Sequence, residues 1–246
     1  MDEQSISNMM DKKPEDIIKE AQANLPENQK KDTYDEEPIY NNVQFDRDAV
    51  QSKSKSYTVY GQDTISEEIE ERIMTLVPLL MKNKYVLRMG GDNHNKLEEA
   101  FSPLHMYKEI YLPWGNANKQ LAASATRKRP SMYAYRIAVN SFLNSRKEAS
   151  EEKFNNLPFG VKASLAKDSH LMYGEELNDQ VSFVIINTKC GSTSFVRDMD
   201  FKALGRASNW IQYAAKFGIK IYNINNDTSY NELKMILASE QTTTTV

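Results

Sequence analysis

Gly90 and Gly91 lie between two kinds of residue pattern. Tyr85-Val86-Leu87 before them is a short β-branched and apolar run, and Leu97, Ala100 and Phe101 after them recur at helical spacing. A strand that stops at paired glycines and passes into a helix points backbone N–H groups at a phosphate or another anion. A Gly-Gly pair is also an ordinary turn, so by itself it leaves both readings open. His94 falls in the same loop, placed either to hydrogen-bond a ligand or to serve as a turn residue. Glu98 and Glu99 fall on the helix that follows. There one carboxylate can act as a general acid or base beside a bound ligand, with a pair of surface glutamates as the plain alternative.

The remaining reactive residues suggest less. His105 and His170 are expected to be structural, and no Cys/His spacing suits zinc, so neither a metal nor another cofactor is expected. Cys190 has no histidine beside it in sequence and is not assigned as a nucleophile. Trp114 and Trp210 read as packing residues, base stacking staying open for Trp114. Arg127-Lys128-Arg129 can contact phosphates or lie in a solvated loop.

With 246 residues, 40% hydrophobic and 26% charged, the chain suits one large domain, or one domain with tails, and its alternating strand and helix patterns place it in the α/β class. No run approaches the roughly 18 apolar residues of a membrane span. The N-terminus lacks a signal peptide's apolar core, and the single cysteine excludes an internal disulfide; a reducing cytoplasm is the expected location. The net charge of −3 is uneven. Residues 1–56 carry 13 acids and 8 bases, whereas residues 57–246 carry 23 bases and 21 acids. That balance disfavours a general nucleic-acid binder.

Residues 1–56 read as an acidic leader, disordered or extended, or ordered only against a partner protein. Order is expected from the strand Tyr57 to Gly61, followed by a Thr64/Glu67 capping box and a helix whose apolar face is Ile65, Ile69, Ile73, Leu76, Val77 and Leu80. Pro78 predicts a kink or an early end there. The strand at 85–87, a helix over about 94–102 and the strand Ile110-Tyr111-Leu112 come next. Residues 116–156 break the rhythm as a helical insertion, with a helix over about 131–146, and a second helix runs through 160–173. Val181 to Asn187 predicts a central strand buried on both faces. A helix carrying Trp210, Ile211, Ala214 and Phe217 leads to the last strand, Ile219 to Ile224. Leu233, Ile236 and Leu237 mark a closing helix before a flexible tail at 241–246. The alternation predicts a parallel sheet with right-handed crossovers.

Within this order, YTVYGQDTISEEI, YVLRMGGDNHNKLEEAF, KEIYLPWGNANK, LAKDSHLMYGEEL, VSFVIINT and GRASNWIQYAAKFGIKIYNI resemble the loops and strands of the SLOG superfamily. That superfamily includes the LOG phosphoribohydrolases and the Rossmann-like domain of DNA-processing protein A. The resemblance covers about residues 57–224. It implies a Rossmann-like, doubly wound, mostly parallel sheet over residues 57–240, with a nucleotide or nucleotide derivative held across its C-terminal edge. Gly61, Gln62, Gly90, Gly91, Asp92, His94, Gly205, Arg206 and Ser208 then form the ligand-binding set. Lys167, Asp168 and Tyr173 match positions near the nucleotide, a helix face packed on the sheet being their other reading. Relatives often pair as dimers, and many phages carry this branch, so a homo-oligomer and a host-cytoplasm or virion location are further implications.

The loops also depart from the family. Gln62-Asp63 stands where Ser-Arg is usual, Met89 replaces a small hydroxyl residue, His94 replaces the third glycine and Lys96 the aspartate. Gly205-Arg206-Ala207-Ser208 replaces Gly-Gly-Thr-Gly. Two accounts fit. In one, Arg206 and Lys96 supply the charge once given by backbone N–H groups, and Ser208 caps the helix. In the other, the pocket is degenerate and the fold is a scaffold, as the acids Asp63 and Asp92 suggest. Nucleotide binding is the leading expectation and a non-enzymatic interaction or structural protein the second. A nucleoside-monophosphate N-glycosidase is the third, and nucleic-acid binding through the basic triplet is a weaker option.

Overall fold

The computed structural model describes residues 53–61, 64–91, 95–113, 130–145, 149–192 and 207–240. The strands are β1 (Ser56–Tyr60), β2 (Val86–Met89), β3 (Lys108–Ile110), β4 (Phe183–Ile186) and β5 (Lys220–Asn223). Among the described residues the helices are α1 (Glu67–Lys82), α2 (Lys96–Phe101), α3 (Met132–Ser145), α4 (Glu151–Asn155), α5 (Phe159–Tyr173), α6 (Ala207–Lys216) and α7 (Asp227–Ser239).

Every strand pairing is parallel, in the order β3-β2-β1-β4-β5. The chain steps outward from β1 through β2 to β3, then returns to lay β4 against the other flank of β1, with Tyr57 opposite Phe183 and Tyr60 opposite Ile186. This is the doubly wound, Rossmann-like arrangement expected from the sequence. Strand order reverses between β1 and β4, where such sheets open a crevice at their C-terminal edge.

Side-chain alternation divides the core into two layers. Tyr57, Val59, Leu87, Met89, Ile110, Phe183, Ile185 and Tyr222 face α1, α2 and α7. Tyr60, Tyr111, Val184, Ile186 and Ile221 face α3, α4, α5 and α6. β4 is buried along its whole length, as its unbroken apolar run predicts. α5 is buried from Ala163 to Tyr173 on all sides, although Lys167, Asp168, Ser169 and His170 lie in that stretch.

Local chemistry shifts several expected boundaries. The N-cap of α1 is Ser66, not Thr64: Glu67 is the first helical residue, and the extended Ser66 accepts the Ile69 N–H on its hydroxyl. Pro78 does not end α1, which runs on to Lys82. Pro78 is exposed, and so is Met74, whose carbonyl the missing N–H would have bonded, so water can serve that carbonyl. β3 begins two residues earlier than expected and ends at Ile110, after which Tyr111 N–H donates to the Met89 carbonyl. The short helix α4, capped by the Ser150 hydroxyl, was not anticipated.

Ordered structure also starts before Tyr57. Asp179 accepts hydrogen bonds from the Lys53 N–H (2.7 Å), the Ser54 N–H (3.0 Å) and the Ser54 hydroxyl (2.5 Å). Arg88, almost fully buried in β2, pairs with Asp179 at 2.7 Å and Glu109 at 2.9 Å. Residues 1–52 of the expected leader, and the tail at 241–246, lie outside the described residues.

Burial works to raise the Asp179 carboxyl, but bonds from Ser54, the Lys53 and Ser54 N–H groups and Arg88 outweigh it and hold it below its ordinary value. The unfolded chain therefore takes up this proton first as pH falls, so the stabilisation is complete above the unfolded value and lost through the folded one. Asp179→Asn is expected to cost about 2 kcal/mol at neutral pH and to flatten the acid limb of the stability profile, measured by urea denaturation across pH.

Candidate functional site

Parallel pairing brings the ends of β1, β2 and β4 to one edge, so Gly61, Gly90 and Asn187 become neighbours in space. α6 joins β4 to the parallel β5 and therefore starts at this edge too. Gln62, Asp92, His94, Gly205 and Arg206 lie outside the described residues, as do Asp63, Trp114 and the Arg127–Arg129 triplet. Gly61, Gly90, Gly91 and Ser208 are described.

Asn95, the N-cap of α2, ties the first loop down. Its Oδ1 accepts from the Gly61 N–H (3.0 Å) and the Glu98 N–H (3.3 Å), and its Nδ2 donates to the Val59 carbonyl (2.8 Å). The Leu97 N–H returns to the Gly61 carbonyl. A Cβ on Gly61 would come within 3.2 Å of Asn187 and Leu97, so a side chain there would push β4 or α2 back by a few tenths of an ångström.

Gly90 carries the charged part of the site. Its N–H donates to Glu98 Oε1 at 2.5 Å. On its other side, a Cβ would sit 2.3 Å from Lys167 Nζ and 3.0 Å from Cε, so the lysine occupies the space a side chain would need. Lys167 is 1% exposed and pairs with Asp168 at 2.7 Å; Glu98 is 2% exposed. Two carboxylates and an ammonium thus lie buried around one glycine, an arrangement tolerable only because each charge is paired or hydrogen-bonded. Gly91 continues the turn at φ +63°, a conformation that favours glycine.

The expected glutamate pair is split. Glu99 is exposed and bound to Lys96 at 2.8 Å, so the surface explanation applies to it alone. Lys96 itself is turned to solvent, and the buried cation at the loop is Lys167 instead. Ser208 does not cap α6. It is the second residue of that helix, and it is buried.

Beyond β4 and β5, Asn223 donates to the Thr188 hydroxyl (2.7 Å) and the Ser192 carbonyl (2.9 Å), while Asn225 donates to the Thr188 carbonyl (2.9 Å). These bonds hold Thr188 and Ser192, which follow β4, against the end of β5. Cys190 in that loop is exposed, 3.4 Å from the Thr188 hydroxyl.

Tyr173 is not part of the edge: its hydroxyl donates to that of Tyr213 inside the core. His170 stacks on Tyr111 and bonds the Gly174 carbonyl through Nδ1, and Trp210 is fully buried. Burial pushes the His105 imidazole down to about 4; Lys108 adds to the effect, and the Tyr107 backbone opposes it. Among the described residues no group of three His, Cys, Asp or Glu is placed to hold a metal, and no helix is long and apolar enough to cross a membrane.

Asn95 and Asn187 are the residues packed at this edge that sequence reasoning missed. Asn95-x-x-Glu98 has the spacing of a capping box, which could have found Asn95, although Glu98 reaches to Gly90 rather than back to the cap. Nothing local signals Asn187. No protein-family model, curated protein or solved structure matches the chain.

Two measurements check this packing. Gly90→Ala is expected to cost about 1–3 kcal/mol. Combined with Lys167→Met it should show a coupling of about 1 kcal/mol in a double-mutant cycle, since the methionine removes the clashing ammonium; additivity would separate the two residues. For His105, the folded protein stays neutral at pH values where the unfolded chain is protonated, so its contribution is present above about 6.5 and lost as pH falls toward 4. His105→Phe should remove that part of the stability slope, while changing stability at pH 7.5 by less than about 1.5 kcal/mol.

Proposed function

We propose that this protein binds a nucleotide or nucleotide-derived small molecule across the C-terminal edge of the sheet, as a diverged SLOG-like domain. The observation that carries the proposal is the buried Glu98–Gly90–Lys167–Asp168 cluster at the end of β2, beside the β1/β4 reversal where ligands of parallel α/β sheets bind. An ammonium and carboxylates held against backbone are costly in a merely packed core and useful where a polar ligand must be oriented. Lys167 takes the cationic role at the second loop. Glycosidic-bond cleavage at this site would fall to Glu98, because Glu99 faces solvent.

A second reading, a scaffold for protein contacts, is favoured by one observation. The Gly61 and Gly90 N–H groups are both taken by the chain's own side chains, Asn95 and Glu98. In that case the partner would engage through the acidic leader, and deletion should stop at residue 52, since Lys53 and Ser54 are bonded to Asp179.

A thermal-shift panel of nucleosides and of mono-, di- and cyclic nucleotides tests the binding proposal. At about 100 times its Kd, a true ligand raises stability by about 2.7 kcal/mol, which moves Tm upward by roughly 5 °C or more. No shift with any member of the panel rejects it.

A further inference from the structure

We infer that the exposed stripe of α1 is a self-complementary docking surface whose partner is α1 of a second copy of this chain, laid antiparallel to it about a two-fold axis.

α1 turns Ile69, Ile73, Leu76, Val77 and Leu80 into the core. Its opposite side is exposed at Glu67, Glu71, Met74 and Pro78, whose spacing alternates between four and three residues and so forms one continuous stripe. Met74, at the middle of that stripe, is 60% exposed. The charges are arranged so that the helix fits its own reverse. Glu67, Glu70 and Glu71 are exposed near its start and make no ion pair among the described residues. Lys84 is exposed just beyond its end and makes none either. Other surface charges of this layer do pair: Glu68 and Asp227 with Arg72, Lys96 with Glu99, and Lys55 with Glu240. Compensation of the helix dipole accounts for acids in the first turn, but the effect fades within that turn, and Glu71 lies beyond it. Lys84 also adopts φ +62°, a left-handed conformation in which glycine usually follows a helix. A lysine held there despite the strain is explained by a use for its charge.

An axis passing between Met74 and Pro78 sets Met74 of each copy against Pro78 of the other. The same axis brings Lys84 of each copy to the first turn of the other's α1, among Glu67, Glu70 and Glu71. A seam of 16 residues is roughly 24 Å long and buries little surface, so the dimer is weak and its charge contacts are screened by salt.

Sedimentation equilibrium of the full chain, over about 1 to 200 µM and at low and high salt, tests the inference. The mass is expected to rise with concentration toward that of two chains, and high salt is expected to weaken the association by about ten-fold. Lys84→Glu alone, and Glu67→Lys with Glu70→Lys, are each expected to weaken it by about ten-fold as well. Combining all three substitutions restores opposite charges across the axis and is expected to return the affinity to within about three-fold of wild type. A wild-type protein that stays monomeric throughout overturns the inference, and that measurement needs no variant. A dimer whose affinity none of these substitutions changes overturns it too, because another face then forms the contact. Weakening without recovery in the combined variant overturns the antiparallel pairing.

Discussion

At Gly90 the backbone has no side chain, and the Lys167 ammonium fills the gap. Much of the candidate site depends on that substitution of one residue's side chain for another's absence. It brings α5 against the end of β2, and it places a buried cation where Glu98 already bonds the Gly90 N–H. Neither Lys167 nor Glu98 would be tolerable there alone, because an unpaired charge inside a protein costs far more than a lost contact. Asp168 completes the set, and the three charges and one glycine form a unit whose members constrain one another.

The rest of the fold serves to hold this edge still. β1 is the middle strand, and both of its neighbours are parallel to it, so its end and theirs emerge on the same side. Asn95 then joins the end of β1 to the start of α2 with three hydrogen bonds, one of them from the Gly61 N–H, and the Leu97 N–H adds a backbone bond to the Gly61 carbonyl. Across the reversal point, Asn223 and Asn225 hold Thr188 and Ser192, just after β4, onto the end of β5. The far end of the sheet has its own anchor in Arg88, Glu109 and Asp179, which fastens Lys53 and Ser54 to the fold. Polar side chains near chain ends thus do much of the joining, while two apolar layers supply the bulk of the burial.

Occupied strand-end donors distinguish this edge from a bare anion site. Backbone N–H groups bind phosphate well when nothing else claims them. Here asparagine and glutamate side chains claim two of them, which moves the chemistry from backbone to side chains.

Element type and order were legible in the sequence because they follow from local periodicity. Alternating or unbroken apolar runs made β1 and β4 recognisable, and a stripe at helical spacing marked α1. Alternation of strands and helices was enough for a parallel sheet with right-handed crossovers, whereas its doubly wound order was implied only by the resemblance of the loops to the SLOG superfamily. Boundaries were less legible: Ser66 rather than Thr64 caps α1, and Pro78 sits harmlessly on an exposed face. The division of Glu98 from Glu99 was not legible at all, since adjacent helix positions differ by about 100° and only packing decides which one turns inward. Lys167 could be placed on a helix but not beside Gly90, because two segments 77 positions apart in the chain meet only once α5 docks on the sheet. The linear chain therefore determined which elements form and in what order. The folded arrangement alone decided which charges are buried together, because burial depends on neighbours that local sequence does not contain.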